Sequence, residues 1–313
     1  MTIEELIAPV KKELENFETV FSKMLHSNVP LAEQVIQYIA TKKGKRIRPL
    51  LVILVAKLHG EVNPKTISAG VVVEMLHTAT LVHDDVIDNA DLRRGVITLQ
   101  KRYGSRTAVI CGDYLLSVAL KMISLVPKKE EYLERKVPNF IERLCLGELK
   151  QHINNGNYNL SVVQYLKIIA GKTAAMFETA FYAGASLVEE DERVINRYSK
   201  IGHFIGMIFQ LTDDCMDFES TESMARKPVQ SDYEQQVITL PLIHAFNVVE
   251  TFRDKAKRQR LSRAEINTMV KKTGGISYTK ELAKKYYGKV LDMIEILKIS
   301  NHKKEMMTSI VNK

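Results

Sequence analysis

Apolar residues return at three- and four-residue intervals along most of this chain, and little interrupts them. Ile3, Leu6, Ile7, Val10, Leu14, Phe17 and Val20 or Phe21 form one such stripe, which predicts an amphipathic helix over residues 3–24. Only 15 glycines and 8 prolines are spread over 313 residues, too few turn formers for a sandwich or barrel of short strands. Further helices are expected near 31–41, 48–58, 65–89, 105–126, 129–155, 161–187, 189–219, 237–253, 262–272 and 275–298. Residues 91–104 read as an irregular connection. With no internal repeat and no low-complexity linker, a single all-α domain over residues 1–313 is the expectation.

The remaining composition excludes several classes. No run approaches 18 uncharged apolar residues, so no membrane-spanning helix is expected. The opening MTIEELIAPVKKELENF alternates acids and lysines and has no apolar core of a secretory signal. Three cysteines, Cys111, Cys145 and Cys215, lie far apart without a CxxC pair, which fits a reducing cytoplasm and not a disulfide framework. The net charge is +8. Its densest run, Arg253 to Arg260, has no interleaved aromatics, so it reads as a solvated helix face and no nucleic-acid partner is expected.

Two acidic segments carry the chemistry. HTATLVHDDVIDNADLRRG begins at His77 and contains Asp84, Asp85 and Asp88; FQLTDDCMD begins at Phe209 and contains Asp213, Asp214 and Asp217. Residues four apart share a helix face, so Asp84 projects with Asp88 and Asp213 with Asp217. Like charges at that spacing repel. Two such clusters inside apolar helices call for a hard divalent cation, and magnesium is commonly held by one or two carboxylates plus substrate phosphates. His77, seven residues before Asp84, falls on the same face. His83 and His203 read more simply as packed side chains.

Cations accompany the acids. Lys45 and Arg48 flank Ile47 in GKRIRP, Arg93 and Arg94 follow the first acidic cluster, Lys172 and Thr173 interrupt an apolar run, and Lys227 follows the second cluster. Guanidinium forks and ammonium groups beside magnesium carboxylates describe a diphosphate site. Neither GxxxxGK[ST] nor GxGxxG occurs.

GKRIRP, EMLHTATLVHDDVIDNADLRRG, GDYLL, GELKQ, GKT and FQLTDDCMD, in this order, resemble the all-trans prenyl diphosphate synthases of the polyprenyl synthetase family. The resemblance runs from about residue 30 to 300 and is closest to the medium- and long-chain type. It implies an isoprenoid synthase fold, a helical bundle around a deep central cavity, usually in a dimer. It also implies repeated condensation of isopentenyl diphosphate with an allylic prenyl diphosphate such as farnesyl diphosphate. By the same resemblance Lys45, Arg48, His77 and Arg94 contact isopentenyl diphosphate. Arg93, Lys172, Thr173, Gln210 and Lys227 contact the allylic diphosphate. Asp84, Asp88 and Asp213 ligate magnesium, with Asp85, Asp214 and Asp217 as water-mediated partners. No protein nucleophile is required.

The growing tail needs a tunnel below the first cluster. Thr80, Leu76 and Val73, with Ala79 on the flank, precede Asp84, and none is aromatic. In family terms an aromatic four or five positions before the motif marks short-chain enzymes. One helix turn rises roughly 5.4 Å, near the length of an isoprene unit, so three clear turns leave room for several units. About six to eight are expected, with seven (a menaquinone-type side chain) the single choice. Leu116, Leu120 or Met122 supplies a floor.

The chain departs from the family pattern in places. Lys43 stands where a glycine is usual, Arg226, Gln230 and Gln236 replace glycines, and Val237 replaces a lysine that is also absent from some two-component synthases. A small non-catalytic partner subunit is therefore an alternative to a homodimer, and peripheral membrane contact would serve product release. Three rival readings stand beside this one. They are a phosphohydrolase built on the His83-Asp84 dipeptide, a terpene cyclase, and a non-catalytic subunit.

Overall fold

The computed structural model describes residues 5, 7–41, 44, 46–93, 95–124, 139–189, 191–219, 233 and 235–311. It is helical apart from one small hairpin, as the periodicity demands. Two compact units are formed, one from Met1–Pro138, Glu178–Lys200 and Ile296–Lys313, the other from Asn139–Phe177 and Ile201–Glu295.

In the first unit the helix Pro64–Ile87 packs against Lys11–Met24, Ile47–His59 and Ser105–Ser124. Its start is written locally. The Asn63 side chain accepts from the Thr66 N–H, and proline occupies the first turn, where no N–H is needed. Ile47–His59 buries Leu51 through Ala56 without a break, so it is apolar on every side and lies inside its unit. At about 1.5–3 kcal/mol for each fully buried large apolar side chain, this packing outweighs any propensity term. Ser105–Ser124 turns Ala108, Gly112, Leu115 and Ala119 inward. By length and composition alone it is apolar enough to cross a membrane, although Arg106, Asp113 and Lys121 interrupt it.

Several boundaries differ from the sequence expectation, each for a local reason. Pro9 starts a 3-10 turn at Ala8–Val10, and the α-helix begins only at Lys11. The connection at 91–104 holds a hairpin, Leu92–Arg93 paired antiparallel with Val96–Ile97. Gly95 takes φ 77° in its turn, and Thr98 caps a short helix, Leu99–Tyr103. Strands of two residues are too short for alternation to show. The long helix expected over 129–155 is described only as Phe140–Ile153. The last helix, Asn301–Val311, had no sequence expectation.

The second unit is built around Tyr165, Ile168, Leu211, Leu240, Ile243, Phe246, Ile266 and Val270. Capping boxes at Ser161 and Ser262 start Val162–Ile169 and Arg263–Thr273. The stretch expected as one helix at 237–253 breaks into Leu240–Val248 and Glu250–Arg258, because Val249 leaves helical angles at φ −127°, ψ 89°. The stretch at 161–187 also divides. A π-helical turn, Ala170–Ala174, separates Val162–Ile169 from Ala175–Ser186.

Candidate functional site

The first acidic cluster closes the helix Pro64–Ile87. Asp84 and Asp85 lie in its last turn and Asp88 is the cap, its N–H 2.8 Å from the Asp84 carbonyl oxygen. Asp84 is half-buried, Asp88 exposed and Asp85 buried. Carboxylates are misplaced at this end, where the helix dipole is already negative, by about 0.3–1 kcal/mol each. Asp85 is compensated inside the protein, since the Arg93 Nε donates to its Oδ1 at 2.5 Å. Arg93, expected on the allylic diphosphate, therefore also latches the hairpin to the helix. Asp84 and Asp88 bring two carboxylates one turn apart at this helix end, the hard oxygen donors a divalent cation takes, so the residues present fit such a metal.

His77 is half-buried almost two turns before Asp84, and Arg48 is half-buried in the first turn of Ile47–His59. His83 is engaged elsewhere. Its Nε2 lies 3.2 Å from the Val109 carbonyl oxygen and 3.3 Å from Asp113 Oδ1. Gly112 leaves room for the ring, as an added Cβ there would sit 2.2 Å from Nε2. That pairing removes His83 from any metal set with Asp84 and counts against the phosphohydrolase reading.

The second cluster sits in the last turns of Glu192–Glu219. Asp213 is exposed, Asp217 half-buried and Asp214 buried. Asp214 Oδ1 accepts from Gln210 Nε2 at 2.9 Å, and Oδ2 accepts from the Tyr165 hydroxyl. Gln210 Oε1 in turn accepts from the Thr173 hydroxyl at 2.6 Å. Thr173, Gln210 and Asp214 thus form one relay, which fixes the Gln210 amide with its NH₂ toward the carboxylate.

Lys172 and Thr173 ride on the π-helical turn, an irregularity common at functional positions. Gly171 and Gly147 allow it to touch the neighbouring helix. A Cβ on Gly147 would lie 2.4 Å from the Lys172 nitrogen, and one on Gly171 2.7 Å from the Arg143 carbonyl oxygen. Lys172 Nζ meets Glu148 Oε2 at 2.8 Å. Glu148 and Tyr165 were not singled out from the sequence. Glu148 had a signal in GELKQ, whereas Tyr165 had none.

Among the described residues no group of three or more His, Cys, Asp or Glu side chains converges as a metal cage. Such a cage is not what magnesium needs, since waters and substrate phosphates complete its shell. The Cys215 thiol is pushed up to about 12 by burial, with Asp214 and Glu219 adding to the effect, which makes it a poor nucleophile. Lys45, Arg94 and Lys227 lie outside the described residues.

Of the tunnel positions, Val73, Leu76 and Ala79 are buried, Ala79 at 0% exposure, while Thr80 is half-buried and donates to the His77 carbonyl oxygen at 2.8 Å. Leu116 and Met122 are half-buried. Leu120 is 57% exposed and so does not form a floor within its unit. Gln236, at a position where the family has glycine, adopts φ 62°, so the left-handed turn persists without glycine. Its carbonyl oxygen accepts from the Gly156 N–H at 2.7 Å.

The polyprenyl synthetase family model matches residues 29–273. Octaprenyl diphosphate synthase of Haemophilus influenzae is 29% identical over 98% of this chain and 95% of its own length. Heptaprenyl diphosphate synthase component 2 of Bacillus subtilis is 31% identical over 91% of this chain and 82% of its own. The crystal structure of heptaprenyl diphosphate synthase from Staphylococcus aureus superposes with a TM-score of 0.87 at 31% identity, covering 97% of each chain. The chain belongs to the polyprenyl synthetase family, with the isoprenoid synthase fold, and is a transferase that makes a polyprenyl diphosphate.

Proposed function

We propose that this enzyme condenses isopentenyl diphosphate with farnesyl diphosphate or a similar allylic starter until the product holds about six to eight isoprene units, seven being the reading preferred, for a quinone side chain. The absence of any aromatic among Val73, Leu76, Ala79 and Thr80 carries this reading. Asp84, Asp88 and Asp213 would hold magnesium. When bound, magnesium draws negative charge from the departing diphosphate.

The protein's own groups do the rest. Lys172, Arg93, Thr173, Gln210 and Lys227 would bind the allylic diphosphate and stabilise it as its carbon–oxygen bond breaks. Lys45, Arg48, His77 and Arg94 would hold isopentenyl diphosphate with its double bond toward the allylic cation. Apolar side chains keep out water that would quench that cation. The proton lost at the end is taken by the released diphosphate. The protein would act in the cytoplasm, with peripheral membrane contact for product release. Val109, Ile110 and Ile123, exposed along Ser105–Ser124, favour a second copy of the chain as its partner. A small subunit is the alternative, suggested by the name component 2 of the Bacillus relative.

The test is incubation with magnesium, farnesyl diphosphate and labelled isopentenyl diphosphate, followed by chromatography of the dephosphorylated products. A product of four units or fewer would overturn the chain-length reading. Thr80→Phe is the companion variant, because Thr80 keeps some exposure whereas a ring at buried Ala79 would require repacking. It is expected to shorten the product to about four units while the first condensation persists, since Thr80 lies one helix turn, near the length of one unit, from Asp84.

A further inference from the structure

Arg46 stands between Lys45 and Arg48 in the basic run GKRIRP, yet its side chain turns away from any ligand role. It immediately precedes the helix Ile47–His59 with φ 50° and ψ 33°, a left-handed conformation that side chains other than glycine rarely take. Its side chain is only 14% exposed. The Nε donates to Glu18 Oε1 at 3.0 Å and one terminal nitrogen donates to Glu74 Oε1 at 2.9 Å. The guanidinium carbon lies 4.3 Å from the Phe21 ring centre and 5.8 Å from that of Phe17. Two carboxylates and an aromatic face thus hold one guanidinium in a planar, directional set of contacts that a lysine cannot reproduce.

The elements joined are informative. Glu74, 7% exposed, belongs to the helix Pro64–Ile87, one turn before His77 and on the path to Asp84. Phe17, Glu18 and Phe21 belong to Lys11–Met24, which lies outside the stretch 29–273 matched by the family model. One buried side chain therefore ties three segments of the first unit. They are the basic run, the helix that carries the first acidic cluster, and an N-terminal helix.

We propose that Arg46 is a positioning residue for the isopentenyl diphosphate pocket, and that Glu18 on the N-terminal helix sets the affinity of that pocket through it. The left-handed step at Arg46 sets the entry of Ile47–His59, the helix whose first turn carries Arg48, and Glu18 and Glu74 hold that step in place. With its fork engaged by those two carboxylates, Arg46 would act on the substrate only through the helix it precedes. This inference rests on the proposed assignment of Lys45, Arg48 and His77 to isopentenyl diphosphate.

The experiment compares Glu18→Ala, Arg46→Lys and Arg48→Ala in steady-state assays with each substrate varied in turn, together with thermal melts. Glu18→Ala leaves the Arg46–Glu74 pair in place, so the fold survives. It is expected to raise KM for isopentenyl diphosphate about tenfold, with KM for the allylic substrate within twofold of the parent, because small displacements of binding groups carry large kinetic costs. Arg46→Lys is expected to show the same split, since it keeps the charge and loses the fork. A lowered melting temperature with an unchanged KM for isopentenyl diphosphate would overturn the proposal in favour of a purely structural pair. Equal rises in both KM values would overturn it too. Arg48→Ala separates the two layers. If it leaves KM for isopentenyl diphosphate unchanged, the pocket assignment itself fails and takes the inference with it. If it raises that KM and Glu18→Ala does not, only the positioning role fails.

Discussion

Asp84→Ala is expected to lower kcat by about a thousandfold. The effect follows from charge. Breaking the allylic carbon–oxygen bond concentrates negative charge on diphosphate, and a bound cation is worth several kcal/mol of transition-state stabilisation, about 4 kcal/mol for a thousandfold change. Asp84 lies in the last turn of Pro64–Ile87, at the negative end of its dipole and four residues from Asp88, a place where a bound cation is favourable. Single-turnover rates check the loss, and a near-normal rate would remove Asp84 from the metal set.

Gly147→Ala is expected to be among the damaging single methyl groups in the second unit. Its Cβ would stand 2.4 Å from the Lys172 nitrogen and 2.6 Å from the Gly171 carbonyl carbon, and these are backbone atoms that cannot swing aside. Overpacking of this kind costs about 1–3 kcal/mol or more. The strain falls on the π-helical turn, so Lys172 and Thr173 shift and turnover falls by about tenfold or more. Gly288 provides the control. It lies in Gly275–Glu295 with nothing within 4 Å of its added Cβ, so Gly288→Ala is expected to stabilise by up to about 1 kcal/mol and leave turnover unchanged. Denaturant midpoints and steady-state rates on the two variants decide the matter. Equal behaviour would refute the tight crossing.

What the sequence made legible was what local rules govern. Asn63-Pro64 announces a helix start, His59-Gly60 a stop, and the two DDxxD spacings place carboxylate pairs on helix faces. What escaped depends on contacts between distant residues. Tyr165 reaches Asp214 across 49 positions, and nothing near Tyr165 marks it as a partner for a carboxylate. Arg46 shows the same limit more sharply. Within GKRIRP it reads as one more cation, and only Glu18 and Glu74, each 28 residues away, reveal it as a buried anchor. The π-helical turn is invisible to helical periodicity because it adds one residue, and its Gly171 reads as an isolated glycine inside a helix. Gln236 illustrates the converse. A left-handed angle was expected to favour glycine there, and the backbone takes that angle regardless, with its carbonyl oxygen tied to Gly156.

In the proposed function both acidic clusters serve diphosphates through a divalent cation. Calorimetric titration of the enzyme with inorganic diphosphate, with and without magnesium, tests it most directly. The parent enzyme is expected to bind diphosphate tightly only when magnesium is present, and Asp84→Ala and Asp213→Ala are each expected to weaken that binding by about tenfold or more, as loss of a charged contact demands. Binding that ignores magnesium, or that survives unchanged in both variants, would contradict it.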